Sequence, residues 1–314
     1  MNDMQTNATP VPARSSNAGS AHAADLLCAR VSEVGSATCV GLDPVVERLP
    51  AEITAGLDAG GRDAAACAMA IERFSFGVIE AVSATAAAVK IQAACFERYG
   101  SHGYAAMERT LAAARASGLV VVLDFKRGDI GISAEHYAAS ARDAHAHWTT
   151  INPYLGNDGI APFLTDGAGA FALVRTSNPS GDALQSLRLA DGRTFAESVA
   201  DLVHGLGASH LGASGFSALG AVVGATKRDE IASLRARMPH TIFLVPGYGA
   251  QGGTADDVRA CFTTGAMGAL ITASRSVIYP KSEAGTPWRA AIRDAARAFA
   301  DEIAAIAPVA SAAR

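Results

Sequence analysis

The chain has 314 residues, half of them apolar and 18% charged, which is the make-up of a globular protein whose core needs no disulfide or metal staple. A formal net charge of −4, without any cluster of Lys and Arg, argues against a nucleic-acid partner. The five cysteines are scattered, with no C-x-x-C and no zinc-finger spacing, and read as small buried hydrophobes of a reducing, cytoplasmic compartment.

Residues 1–21 lack an apolar signal-peptide core and carry one arginine, so they are expected to be a disordered tail, neither a signal nor a transit peptide. Residues 22–314 are expected to form one catalytic domain. The stretch "AADLLCARVSEV" has helical spacing and stops at Gly35, and "ATCVGLDP" is a short apolar run closed by Asp-Pro. The same alternation then recurs. Helix-like "AAACAMAIERFSFGVIEAVSA" leads to "AAVKIQ", "GYAAMERTLAAARASG" to "LVVVLDF", and "SAEHYAASARDAHA" to "WTTINPY". Four further strand candidates follow in "GAFALVRTSNPSG", "ALGAVVGAT", "HTIFLVPGYG" and "MGALITASR".

Eight strands with helical stretches in most of the gaps predict an α/β fold, a closed (β/α)₈ TIM barrel rather than an open sheet. The longest uncharged run, Gly205 to Thr226, holds six glycines and three serines and reads as a loop plus a strand, not a membrane span. The region 181–217, with helix-like "RTFAESVADLVHGLG", is expected to be an elaborated loop over one barrel end.

Barrel sites lie at the C-terminal strand ends, so the chemistry is expected at the strand exits. Asp43, Lys90, the "DFKRGD" run, Asn152, Ser177, Asn178, Gln251 and Arg275 all fall there. Taken singly, Asp-Pro and Asn-Pro are turn formers, and "SNPSG" and "PGYGAQGG" are loops by composition. The run around residue 124 is harder to read that way. Strand alternation points Asp124 and Lys126 to one face and Phe125 to the other, with Gly128 freeing the chain to turn. A solvated surface pair is worth about 0 to 1 kcal/mol, whereas buried charges persist only when paired and hydrogen-bonded. Lys90 could supply a second cation, giving a network of alternating sign through Lys90, Asp124, Lys126 and Asp129. A purely structural salt-bridge cluster is the alternative reading. Arg127 receives no role, and His102, His136, His145 and His147 read as surface or core residues.

The D-x-K-x-x-D pattern of Asp124, Lys126 and Asp129 resembles the signature of the orotidine 5′-phosphate decarboxylase family, and "KRGDIG" resembles its bacterial second subgroup. The fragments "CVGLDP", "AVKIQ" with "FERYG", "INPYLG", "RTSNPSG", "VVGAT" and "LVPGYGAQGG" follow in the family's order. The resemblance implies a cofactor-free, metal-free conversion of orotidine monophosphate to UMP and CO₂, the last step of pyrimidine synthesis. It further implies Asp43 and Lys90 at the ribose hydroxyls, Asp124 beside the substrate carboxylate and Lys126 as proton donor to C6. Ser177 would then bond the pyrimidine, Gln251 and Arg275 the phosphate, and Asn152 belongs to the substrate-binding set. Asp129, Ile130 and Ser133 would reach the neighbouring subunit's site, which implies a homodimer. The sequence departs from the family at Phe125, Ile91, and Ile132 with Ser133, where a small residue, a proline and Ser-Thr are usual; a repacked helix interface is expected at Phe125. Two rival readings are a metal-dependent decarboxylase or aldolase of sugar phosphates and a non-catalytic UMP-binding barrel.

Overall fold

The computed structural model describes residues 21–57, 63–249, 253–283 and 285–309, so Gln251 and all but the last residue of the expected tail lie outside the described residues. Strands β1 (Thr38–Leu42), β2 (Ala88–Gln92), β3 (Val120–Arg127), β4 (Trp148–Ile151), β5 (Gly169–Arg175), β6 (Leu219–Val223), β7 (Phe243–Val245) and β8 (Ala269–Ala273) pair in sequence order, and β8 closes on β1. Every pairing is parallel. The eight expected strands are the eight observed, and the fold is a (β/α)₈ barrel. Parallel strands covered on both faces read as continuous apolar runs, and β1, β4, β6, β7 and β8 are buried at every position.

The helices are α1 (Ala23–Val34), α2 (Ala51–Thr54), α3 (Ala64–Val82), α4 (Ala93–Glu97), α5 (Gly100–Ala116), α6 (Gly131–Asp143), α7 (Asn157–Ile160), α8 (Asp182–Gln185), α9 (Phe195–Gly207), α10 (Arg228–Arg237), α11 (Ala255–Arg259), α12 (Arg275–Ile278) and α13 (Trp288–Ile306). The start of α3 is fixed by Asp63, whose carboxylate accepts the N–H groups of Ala65 and Ala66.

The region 181–217 is only partly the loop expected from sequence. Thr194 and Glu197 form a capping box that starts α9. Ala196, Ala200, Val203 and Gly207 then bury one face of that helix, so it is a layer helix of the barrel between β5 and β6, packed on both. The elaboration flanks it, with α8 and an antiparallel bridge between Arg188 and Thr194 before the helix and a second antiparallel bridge between Leu211 and Ser217 after it. Helices α10 and α13 are additions to the sequence reading. The apolar face of α13, through Ile292, Ala296, Phe299 and Ile303, recurs at helical spacing and buries against the barrel.

Strand β3 is irregular where it matters. Leu123 is opposite Thr149 and Arg127 is opposite Ile151, so four residues of β3 advance against two of β4. The bulge places Lys126 at φ 45°, in the left-handed region that a non-glycine residue enters at a cost of about 1–3 kcal/mol.

Candidate active site

A cavity of about 460 Å³ opens at the C-terminal ends of the strands. One wall is charged, formed by Asp43, Lys90, Asp124 and Lys126; the floor is apolar, formed by Leu173, Val222 and Leu244; the far side carries Tyr248 and Ser274 to Ser276.

The charged wall is built around Asp124, which is almost fully buried. Lys90 donates to Asp124 Oδ2 at 2.7 Å, Lys126 to Oδ1 at 2.5 Å, the Thr150 hydroxyl to Oδ1 at 2.8 Å, and Gln92 to Oδ2 at 3.4 Å. β-Sheet geometry explains the convergence. Lys90 and Gln92 are two residues apart on one face of β2, and Gln92 is in register with Asp124. Thr150 faces the bulge from β4 and also accepts the backbone N–H of Lys126 at 3.0 Å, bracing the strained residue.

Burial opposes ionisation of Asp124, but Lys90 and Lys126 outweigh it and hold the carboxyl far below the usual range. Burial likewise opposes charge on Lys90, yet Asp124 and Asp43 leave its ammonium harder to deprotonate than that of an ordinary lysine. Asp43 Oδ1 is 3.7 Å from Lys90 Nζ. The network therefore alternates in sign as expected, but in this chain its fourth member is Asp43 and not Asp129.

Asp124 and Lys126 meet, as strand alternation indicates, and Phe125 turns outward, edge-on to Phe163 at 6.3 Å; the pair lies within the irregular stretch between Leu123 and Arg127. Gly128 has an ordinary φ, and a side chain there would press on Asn152, with the added Cβ 3.1 Å from that residue's own Cβ. The left-handed turn comes three residues later, at Gly131 with φ 54°. Arg127 pairs with Glu97 and lies over the rings of Phe125 and Tyr137, tying β3 to the helical layer.

Ser177, Asn178 and Arg275 border the cavity as expected. Asn152 does not; its side chain accepts the N–H of Tyr154 at 3.0 Å and caps a 3₁₀ turn, as its Asn-Pro context allows. Asp129, Ile130 and Ser133 also lie outside the cavity of their own chain, at the start of α6. The Asp129 carboxylate accepts the N–H of Ile130 at 2.8 Å. The sequence reading missed Gln92, Thr150, Thr176, Tyr248 and Thr272, all of which line the cavity. For Gln92 the signal was present, two positions beyond Lys90 on the same strand face. For Thr150 it was not, because its role depends on a bulge in a different strand.

Among the described residues no group of three or more His, Cys, Asp or Glu side chains is placed to share a metal ion, and no helix is long and apolar enough to cross a membrane.

The family model described as "Orotidine 5′-phosphate decarboxylase / HUMPS family" matches residues 39–286. An orotidine 5′-phosphate decarboxylase of Rhodopirellula baltica is 42% identical over 265 residues, covering 81% of this chain and 87% of the relative. One from Halobacterium salinarum is 40% identical over 282 residues, covering 88% and 96%. The solved structure of Leishmania donovani OMP decarboxylase superposes with a TM-score of 0.73 at 34% identity, over 91% of this chain and 98% of that one.

Proposed function

The chain belongs to the orotidine 5′-phosphate decarboxylase family and decarboxylates orotidine 5′-phosphate, and from that premise we propose that Lys126 is the proton donor and Asp124 the residue that aims it. The observation that carries this reading is the single buried carboxylate held by two ammonium groups at 2.7 and 2.5 Å, with the second of them, Lys126, open to the cavity.

Cleavage of the bond between C6 and the carboxylate releases CO₂ and leaves an electron pair at C6 in the plane of the ring, where no carbonyl delocalises it. The Lys126 ammonium stabilises that charge as it develops and then transfers its proton to C6, giving UMP. The neutral amine then regains a proton from solvent. The substrate carboxylate sits next to ionised Asp124, a like-charge contact that departure of CO₂ relieves. Asp43 and Lys90 hold the ribose hydroxyls, Ser177 the pyrimidine, and Arg275 the phosphate together with Gln251. Remote binding of the phosphate fixes the ring against the charged wall. No step needs a cofactor.

The same reading makes the enzyme a cytoplasmic homodimer in which Asp129, Ile130 and Ser133 complete the partner's site. Its support is a patch of exposed apolar side chains around those residues: Ile130 is 55% exposed, Ile132 64% and Tyr154 73%.

The test follows the absorbance of orotidine 5′-phosphate with the wild-type enzyme and Lys126→Ala, each with and without EDTA. Loss of the charge and the proton together lowers kcat by about 10⁴ or more. Near-wild-type turnover in Lys126→Ala would remove the assignment, and activity abolished by chelator would favour a metal-dependent reaction.

A further inference from the structure

We propose that Arg175 and Gln185 are positioning residues of this reaction, holding Ser177 in place although neither is assigned a contact with the substrate. The proposal rests on the reading that Ser177 bonds the pyrimidine.

Arg175 ends β5, immediately before the Thr176–Asn178 segment that lines the cavity. It is 2% exposed, an unusual burial for a guanidinium that borders a polar loop. All five of its N–H donors are engaged. Nε and Nη2 pair with the Glu230 carboxylate at 2.7 Å each, Nη1 donates to Asp182 at 2.8 Å and to Gln185 at 3.1 Å, and Nη2 donates to Ser186 at 3.0 Å. The residue thus clamps both ends of the 176–186 segment and fastens it to α10 through Glu230. Lys227, at the foot of α10, closes a second link to Asp182 at 2.5 Å.

Gln185 carries that rigidity back to the cavity. Its carbonyl oxygen accepts the N–H of Thr176 at 2.9 Å, and its amide donates to the Thr176 hydroxyl at 2.8 Å. The Thr176 hydroxyl donates in turn to Asn178 Oδ1 at 2.7 Å. Ser177 is therefore suspended between two braced neighbours. From the other side, the Thr226 hydroxyl donates to the Ser177 carbonyl at 3.3 Å, and Gly224 leaves room that a Cβ would close, since it would sit 2.8 Å from the Ser177 Cα and N. A structural clamp would need only the Arg175 ion pairs. The additional two-point grip of Gln185 on Thr176 fixes the backbone next to the one side chain of the segment that the reaction uses, and misplacement of such a group by about 1 Å can cost up to 10²-fold in rate.

The experiment is a double-mutant cycle on kcat/KM with Gln185→Ala, Ser177→Ala and the double variant, with Tm measured for each. Gln185 is only partly buried and leaves the Arg175–Glu230 pair intact, so the variant folds. The expected result is a loss of about tenfold or more in kcat/KM for Gln185→Ala, a Tm shift of a few degrees at most, and less than about twofold additional loss when Ser177 is already alanine. Arg175→Lys, which keeps the charge but not the fork, is expected to show the same pattern with a larger fall in Tm. If Ser177→Ala lowers kcat/KM while Gln185→Ala is silent, or its loss persists undiminished in the Ser177→Ala background, the positioning role is wrong and the Ser177 assignment stands. If Ser177→Ala retains wild-type kcat/KM, the Ser177 assignment falls and the inference with it.

Discussion

Replacing Asp124 by Asn keeps the shape of the side chain and removes the charge on which two lysines converge. In the wild-type protein Lys90, with its side chain 9% exposed, donates to Asp124 at 2.7 Å and has Asp43 at 3.7 Å as its other carboxylate among the described residues. In Asp124→Asn one amide oxygen is left for two ammonium groups, and the amide N–H₂ faces one of them donor to donor. Removing one partner of a buried ion pair costs about 3–5 kcal/mol, and the remaining Asp43 contact points to the lower end of that range. Urea unfolding at pH 7 is the assay; the midpoint falls by about 1 M or more with little change in slope. The pH dependence supplies a second, independent signature. Because the Lys90 pKa is raised in the folded wild-type protein, its stabilisation is fully present below the unfolded value near 10.4 and is lost only as pH rises through the folded value. Without Asp124, burial dominates and depresses the Lys90 pKa, so the unfolded chain holds more protons than the native one and the variant gains stability as pH rises toward about 10. A variant within about 1 kcal/mol of wild type at pH 7, with no gain in stability between pH 7 and 10, would refute the account of Lys90 as a buried cation dependent on Asp124.

The strain at Lys126 predicts that Lys126→Gly is more stable than Lys126→Ala by about 1 kcal/mol, since only glycine enters φ 45° without penalty; equal stabilities by urea titration would show that the bulge stores no such strain. Gly224→Ala drives a methyl group into the Ser177 backbone and is expected to lose about 1–3 kcal/mol and raise KM for orotidine 5′-phosphate, whereas unchanged steady-state kinetics would mean that the segment yields freely. His147 accepts the N–H of Val121 at 3.0 Å through Nδ1, and burial, with a lesser push from Arg115, brings its pKa down to about 4. Its contribution, on the order of 2–3 kcal/mol, is present above pH 6.5 and is lost as pH falls toward 4, so His147→Asn should flatten the stability profile in that window. If Asp129 serves the partner's site, mixing inactive Lys126→Ala and Asp129→Ala subunits should restore activity. Random reassortment puts one intact site in about half of the dimers, or about a quarter of wild-type activity, and no recovery from verified mixed dimers would place Asp129 outside the partner's site.

The fold was legible because the barrel strands are mainly apolar runs and most of their exits are punctuated by Gly, Pro or Ser, signals that survive without knowledge of tertiary contacts. Residues 22–34 illustrate the local limit of that clarity, with α1 ending at Gly35 in the left-handed conformation, as its sequence indicates. Legibility failed where an assignment depended on distant partners. Asn152 reads as a strand-exit site residue, yet its neighbour Pro153 commits it to capping a turn. Arg175 opens the fragment "RTSNPSG", but nothing in that fragment shows its role, which is set by Glu230, 55 residues away. The count of residues between Leu123 and Arg127 gives no hint that β4 spends only two residues over the same span.

That mismatch also bears on the proposed division of work between the two lysines that meet Asp124. Lys90 lies in regular β2, buried between two carboxylates, and its surroundings make the ammonium harder to deprotonate than in water. A proton held that firmly is a source of field, not of acid. Lys126 lines the cavity, where its side chain is 47% exposed and, among the described residues, pairs with one carboxylate oxygen. In the proposed mechanism exposure and partner number divide two identical side chains on one aspartate between electrostatic support at Lys90 and proton transfer at Lys126, the same separation of roles by environment that lets paired carboxylates act as acid and base elsewhere. Straightening β3 by deleting a residue of the bulge should therefore abolish turnover even if both lysines remain charged.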